Sequence, residues 1–171
     1  MNLVRTIKTI LDRSLEVLVM VVVAVLVLDV LWQVFTRFVL DDPSTWTEEL
    51  AVFLLVWVSL LGAAVALGRG AHLGIDYFVG KLPERTRLAT EVVVFFCVAA
   101  FSLLVMLIGG VDLVRSTLEL GQESPALGVR MGYVYLAVPI SGFSLTLYAA
   151  IGLVERIQGL LKGHPSTDMA R

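Results

Sequence analysis

The sequence predicts an all-α integral membrane protein, with four transmembrane helices and a short interfacial amphipathic helix between the second and third. Three observations carry that prediction. Of 171 residues, 58% are hydrophobic and only 16% charged, and the mean hydropathy is +0.90, a balance suited to lipid rather than water. Four apolar stretches approach the length of about 20 residues that a helix needs to cross the hydrocarbon core. The basic residues also gather on one side of those stretches, ten against three. One membrane domain is expected over 1–162, followed by a disordered cytoplasmic tail over 163–171.

The first stretch is unbroken over 17–28 and continues through Asp29, Gln33 and Arg37 to residue 40. Arg5, Lys8 and Arg13 precede it as the basic region of a signal peptide would, but no small-x-small cleavage site follows, so an uncleaved anchor helix is expected. Between the first two helices lies Asp41-Asp42-Pro43-Ser44-Thr45-Trp46-Thr47-Glu48-Glu49, a stop followed at once by a start. Pro43 ends one helix and Thr45 with Glu48 forms a capping box for the next. Trp46 suits the headgroup level, while Glu48 and Glu49 suit the positive end of the new helix dipole.

The second stretch, 50–67, is interrupted only by Ser59 and Gly62. Beyond it, Ile75, Phe78, Val79 and Leu82 recur at helical spacing beside Tyr77 and Lys81, and Pro83 closes the segment. That stripe is too short to cross and predicts a helix lying in the interface. The third stretch, 92–111, belongs to a helix that starts near Pro83 and runs to Leu118, outlasting the bilayer and therefore tilted or projecting. The loop over 119–130, with Gly121, Pro125 and Gly128, is expected to be irregular. The fourth stretch, 131–154, carries Gly132, Pro139 and Gly142, with a kink expected at the proline.

Orientation follows from Lys and Arg near the span ends. Arg5, Lys8 and Arg13, then Arg69, Lys81, Arg85 and Arg87, then Arg156, Lys162 and Arg171 fall on one side, against Arg37, Arg115 and Arg130 on the other. Both termini should be cytoplasmic.

Several function classes are excluded early. A net charge of −2 offers no basic field for nucleic acid. One cysteine and two histidines are too few for a disulfide framework, a zinc centre or conventional haem ligation. No nucleophile elbow, metalloprotease motif or phosphate-binding loop occurs, so no catalytic, cofactor or metal site is expected. Membrane lipid is a partner by composition alone.

What stands out is polarity inside the spans. Asp29, Gln33 and Arg37 fall four residues apart on one helix face, and an ionisable group in a span is expensive. They could form a proton relay. The favoured reading makes Asp29 and Gln33 contacts to polar groups of a neighbouring helix or partner, with Arg37 reaching the headgroups. Ser59, Gly62, Ala63, Ala66 and Gly70 make a small-residue face on the second helix, and Gly142, Thr146 and Ala150 another on the fourth. Such faces suit packing within this bundle or against another protein. Cys97, among apolar neighbours, reads as inert. A stand-alone homo-oligomeric ion or proton channel around the Asp29 face is the alternative to a helper subunit. The absence of a mid-membrane cavity or internal repeat favours the helper.

The motifs then carry a resemblance. Trp46-Thr47-Glu48-Glu49-Leu50, Gly62-Ala63-Ala64, Arg69-Gly70-Ala71-His72-Leu73-Gly74-Ile75-Asp76, Leu82-Pro83, Ser124-Pro125-Ala126-Leu127, Tyr135 and Val138-Pro139-Ile140 together resemble the small membrane subunit, DctQ type, of TRAP (tripartite ATP-independent periplasmic) transporters. The similarity covers Arg37 to Gly142. It implies a multi-pass protein of the bacterial inner membrane that is no enzyme. It implies a large multi-span partner that moves as an elevator, and a periplasmic binding protein that delivers organic acids for sodium-driven uptake. On that resemblance Trp46, Glu48 and Glu49 anchor one end of the second helix. Arg69, His72 and Asp76 anchor the other, and Asp29, Gln33, Arg37, Gly62 and Ala66 remain candidate partner or interhelix contacts.

Overall fold

The computed structural model describes residues 2–42, 44–69 and 84–162. The interfacial helix expected near 75–82, with His72 and Asp76, and the tail over 163–171 lie outside the described residues.

Helix α1 (Asn2–Phe38) is 37 residues long and begins well before its apolar part. At about 1.5 Å per residue it outruns a hydrocarbon core of about 30 Å, so it tilts or projects. Its chain reverses through Asp41, whose φ of 52° lies in the left-handed region that Asp tolerates better than most residues. Helix α2 (Thr45–Gly68) follows. The expected capping box is not what starts it: Ser44 holds the N-cap position and Thr45 is already helical. The Ser44 and Thr47 hydroxyls pair with each other, and Thr47 Oγ1 also lies 2.9 Å from the Ser44 carbonyl oxygen. Thr47 is fully buried, so its hydroxyl turns to this local acceptor rather than to solvent.

The third span is one continuous rod of three parts, α3 (Glu84–Phe101), a π-helical segment (Ser102–Gly109) and α4 (Gly110–Glu119). Its length agrees with the expectation, but nothing in the segment's composition signalled the π-helix. The fourth span divides into α5 (Met131–Tyr135) and α6 (Ala137–Lys162), with its break at Leu136 rather than at Pro139. The reason is local: proline lacks an N–H and its ring crowds the carbonyl four residues earlier, here that of Tyr135. Helical bonding resumes from Ile140 N–H to the Leu136 carbonyl at 3.2 Å.

The four spans meet the length and apolarity that crossing requires: Leu11–Phe38, Thr45–Gly68, Thr86–Glu119 and Met131–Gly159. They pack in the order first, second, fourth, third. The fourth is therefore central, with 44% of its apolar window buried, while the first is peripheral at 6%. Close contact between the third and fourth spans depends on Gly142, where a Cβ would lie 2.7 Å from Met106 Cβ and 2.9 Å from Leu107 N. Beside it the Thr146 hydroxyl lies 2.9 Å from Ser102 Oγ, an interhelix polar contact at the start of the π segment.

The loop between the third and fourth spans has no regular helix or strand, as expected, but is hydrogen-bonded into a turn. Glu123 and Arg130 form an antiparallel bridge, Ser124 N–H donates to the Val129 carbonyl at 2.9 Å, and Gly128 N–H returns to the Ser124 carbonyl at 3.0 Å. Gly128 supplies the positive φ of 64° that the reversal needs. Ser124 Oγ, accepting from Val129 N–H, completes the turn.

Candidate functional site

The chemistry-bearing side chains gather at three levels: the end holding the loops at 39–44 and 120–130, the opposite end, and the seam between α1 and α2.

At the loop end, Glu49 reaches from the second turn of α2 to the loop before the fourth span. Its Oε2 accepts the backbone N–H groups of Ala126 at 3.0 Å and Leu127 at 2.8 Å. A carboxylate accepting two N–H groups makes charge-assisted bonds and satisfies donors that the turn leaves unpaired. Glu48, one residue away and so rotated by about 100° around the helix, is exposed. Trp46, 43% exposed, stands at the same end. The motif Ser124-Pro125-Ala126-Leu127 thus meets the Glu49 motif in space.

At the opposite end, Arg69 directly follows α2 and its Nη2 lies 2.8 Å from Glu16 Oε1 on α1. Tyr148 of α6 donates to Asp12 Oδ1 at 2.5 Å, and its ring packs on Gly68, where a Cβ would stand 3.0 Å from the ring. Beneath these polar contacts Leu15, Leu61 and Tyr148 form a buried cluster with Trp57 and Val65 against it. A second link joins the third and fourth spans: Glu91 holds Arg87 Nε at 3.0 Å and Arg156 Nε at 2.7 Å, with its side chain 12% exposed.

In the seam, Asp29 is 7% exposed and Thr36 4%. Thr36 donates to the Gln33 carbonyl at 3.0 Å. Neither carboxylate oxygen of Asp29 has a hydrogen-bond partner, so the bond to a neighbouring helix expected of it is not made. Gln33 is half-buried on the same side, whereas Arg37, expected to share that face, is exposed. Helical drift explains the separation: eight residues turn by about 800°, which is 80° past two full turns. Ala66 is half-buried, and Gly62 has nothing within 4 Å of where a Cβ would stand, so that part of the small-residue face is open.

A groove of about 460 Å³ lies between α1 and the third and fourth spans and is walled by Leu15, Leu18, Leu107, Ile140 and Phe143. Ser14 and Ser144 also line it, but each donates to a carbonyl of its own helix. It offers nothing to polarise or transfer a group. Among the described residues no three His, Cys, Asp or Glu side chains converge as a metal would require. What the arrangement does is fasten helices to one another at both ends.

Sequence reasoning missed Asp12, Glu16, Glu91 and Tyr148. A signal existed for two of them, since Asp12 and Glu16 are four residues apart just before the apolar run, where an acid needs a partner.

Residues 26–159 match the family described as Tripartite ATP-independent periplasmic transporters, DctQ component. Among individual proteins, the sialic acid TRAP transporter small permease protein SiaQ of Vibrio cholerae is 28% identical over 162 residues, 92% of this chain and 87% of that protein. The C4-dicarboxylate TRAP transporter small permease protein DctQ of the same species is 32% identical over 74 residues, 43% of this chain and 32% of that protein. The isethionate TRAP transporter permease protein DctMQ of Oleidesulfovibrio alaskensis is 29% identical over 119 residues, 70% of this chain but only 18% of that much longer protein.

Proposed function

The chain belongs to the DctQ component family and is a small permease subunit of a TRAP transporter, and from that premise we propose that it is the fixed scaffold for a large, elevator-type permease subunit. As a transporter permease subunit it is not an enzyme. The transport it supports is sodium-driven uptake of organic acids handed over by a periplasmic binding protein. The domain over 1–162 sits in the bacterial inner membrane with both termini cytoplasmic, as the distribution of Lys and Arg favours.

The observation that carries the reading is the length of DctMQ: a stretch like this chain occupies 18% of a single permease protein, which fits covalent union with a larger membrane part. The named substrates of the relatives, sialic acid, isethionate and C4-dicarboxylates, are all organic acids, which supports the substrate class. The fold adds a physical argument. Its polar contacts tie helix ends together and the groove beside α1 is apolar, which supports a rigid scaffold that leaves substrate recognition to another subunit.

On this reading Trp46, Glu48 and Glu49 anchor the loop end of α2, Arg69 anchors the other end, and the open face at Gly62 and Ala66 receives the large subunit. His72 and Asp76 retain the anchoring role that the resemblance implies. A homo-oligomeric channel finds no support in the geometry, because Asp29 lies in the seam rather than on the outer surface that a ring would share.

Affinity purification of the tagged chain from native membranes in mild detergent, with mass spectrometry of co-eluting proteins, tests the proposal. A near-stoichiometric multi-span protein is the expected result. Recovery of this chain alone, or as a homo-oligomer, would count against it.

A further inference from the structure

We propose that Asp29 is a membrane-embedded proton-binding site, its carboxyl held as the neutral acid within the α1–α2 seam. The seam face of α1 steps by three and four residues through Val19, Val22, Leu26, Asp29, Gln33 and Thr36, and Asp29 is its one ionisable member. Asp29 is 7% exposed, both its oxygens are enclosed, and neither meets a donor. It lies inside the apolar span Leu11–Phe38, so the surroundings beyond the protein are hydrocarbon rather than water.

Among the described residues no counter-charge stands against Asp29, since neither of its oxygens meets a donor. On α1, Arg37 is two turns onward and exposed, and Glu16 is more than three turns back and engaged with Arg69. Across the seam, α2 carries only Glu48 and Glu49 near its start and no Lys, Arg or His anywhere along Thr45–Gly68. The fourth span meets α1 through Tyr148 and Asp12, more than four turns away along α1, and its Arg156 is held by Glu91.

An isolated carboxylate in such a site would need a counter-charge that none of these elements supplies, whereas taking one proton from water leaves a neutral group of nearly the same shape. The neutral acid gains an O–H donor. A donor at that position can turn back to a carbonyl of its own helix, as the Thr36 hydroxyl does about two turns later. The same geometry argues against a relay, since among the described residues no second acid or base is hydrogen-bonded to Asp29 to take the proton on.

Infrared spectroscopy of the full chain in lipid bilayers, with aspartate carboxyls carrying carbon-13, tests the assignment. At neutral pH the wild type should show a C=O stretching band of a protonated carboxylic acid, displaced by the label, and Asp29→Asn should lose it. If Asp29→Asn does not fold, Asp29→Glu serves instead, because the labelled band should give way to an unlabelled one. A folded wild-type chain without a protonated aspartate band at neutral pH, or a band unchanged by either substitution, would overturn the proposal.

Discussion

Glu49 and Leu127 are 78 residues apart in sequence, yet the Glu49 carboxylate accepts the Leu127 N–H at 2.8 Å and that of Ala126 at 3.0 Å. This side chain therefore fixes the loop before the fourth span to the start of α2, and hydrogen bonds to a charged group contribute about 1.5–3 kcal/mol each. Partial exposure of the site argues for the lower part of that range. Glu49→Ala should speed amide hydrogen exchange at Ala126 and Leu127 by at least tenfold, with Glu49→Gln intermediate because it keeps an acceptor but loses the charge. Glu49→Lys, which also opposes the helix dipole, should lower complex yield most. Exchange at 126–127 as slow in Glu49→Ala as in the wild type would refute this fastening role.

Gly142 and Gly62 make opposite predictions although both read as small residues on helix faces. A Cβ on Gly142 would meet Met106 and Leu107 at under 3 Å, including a backbone nitrogen that cannot step aside. Gly142→Ala should cost roughly 1–3 kcal/mol, the usual range for overpacking, and be read as a lower unfolding midpoint in detergent. A Cβ on Gly62 meets nothing within 4 Å among the described residues, so the isolated Gly62→Ala subunit should keep its midpoint while recovery of the large subunit falls. Unimpaired recovery would remove Gly62 from the partner face.

The contrast shows what the sequence could and could not convey. Span number, the extent of α2 and the start of the third helix follow from apolar length and from Pro83, because the bilayer imposes those limits locally. Pairings such as Glu49 with the 124–128 loop or Tyr148 with Asp12 depend on how the helices are ordered, which periodicity does not specify. The π segment was illegible for the same reason: its setting is the close approach to Gly142, not its own composition. Asp29 was conspicuous as an acid in a span, but only the packing reveals that it has no partner.

Two polar contacts at the opposite end should differ in weight. The Arg69–Glu16 pair is 66% and 31% exposed at its two side chains, and such surface pairs contribute about 0–1 kcal/mol. Tyr148 is 4% exposed, and its hydroxyl donates to a carboxylate, so Tyr148→Phe removes a bond of about 1.5–3 kcal/mol. Thermal unfolding should rank Tyr148→Phe below Arg69→Gln, and raising the salt concentration should narrow the gap between Arg69→Gln and the wild type. The reverse ranking would mean that Arg69 acts through contacts other than Glu16.

Substitutions at Asp29 separate charge from shape. Asn reproduces the size and neutrality of the protonated acid and keeps a donor, so Asp29→Asn should assemble with yield and unfolding midpoint close to those of the wild type. Lys introduces a longer, charged side chain where α2 offers no acid between Glu49 and Gly68. Insertion scales put such a residue at about 2.5–3.5 kcal/mol at a span centre. Asp29→Lys should therefore lower chain recovery from the membrane several-fold, and what survives should release α1, seen as new protease sensitivity near its ends. Equal recovery of Asn and Lys variants would mean that the seam admits water or lipid headgroups and that Asp29 is not enclosed in the membrane.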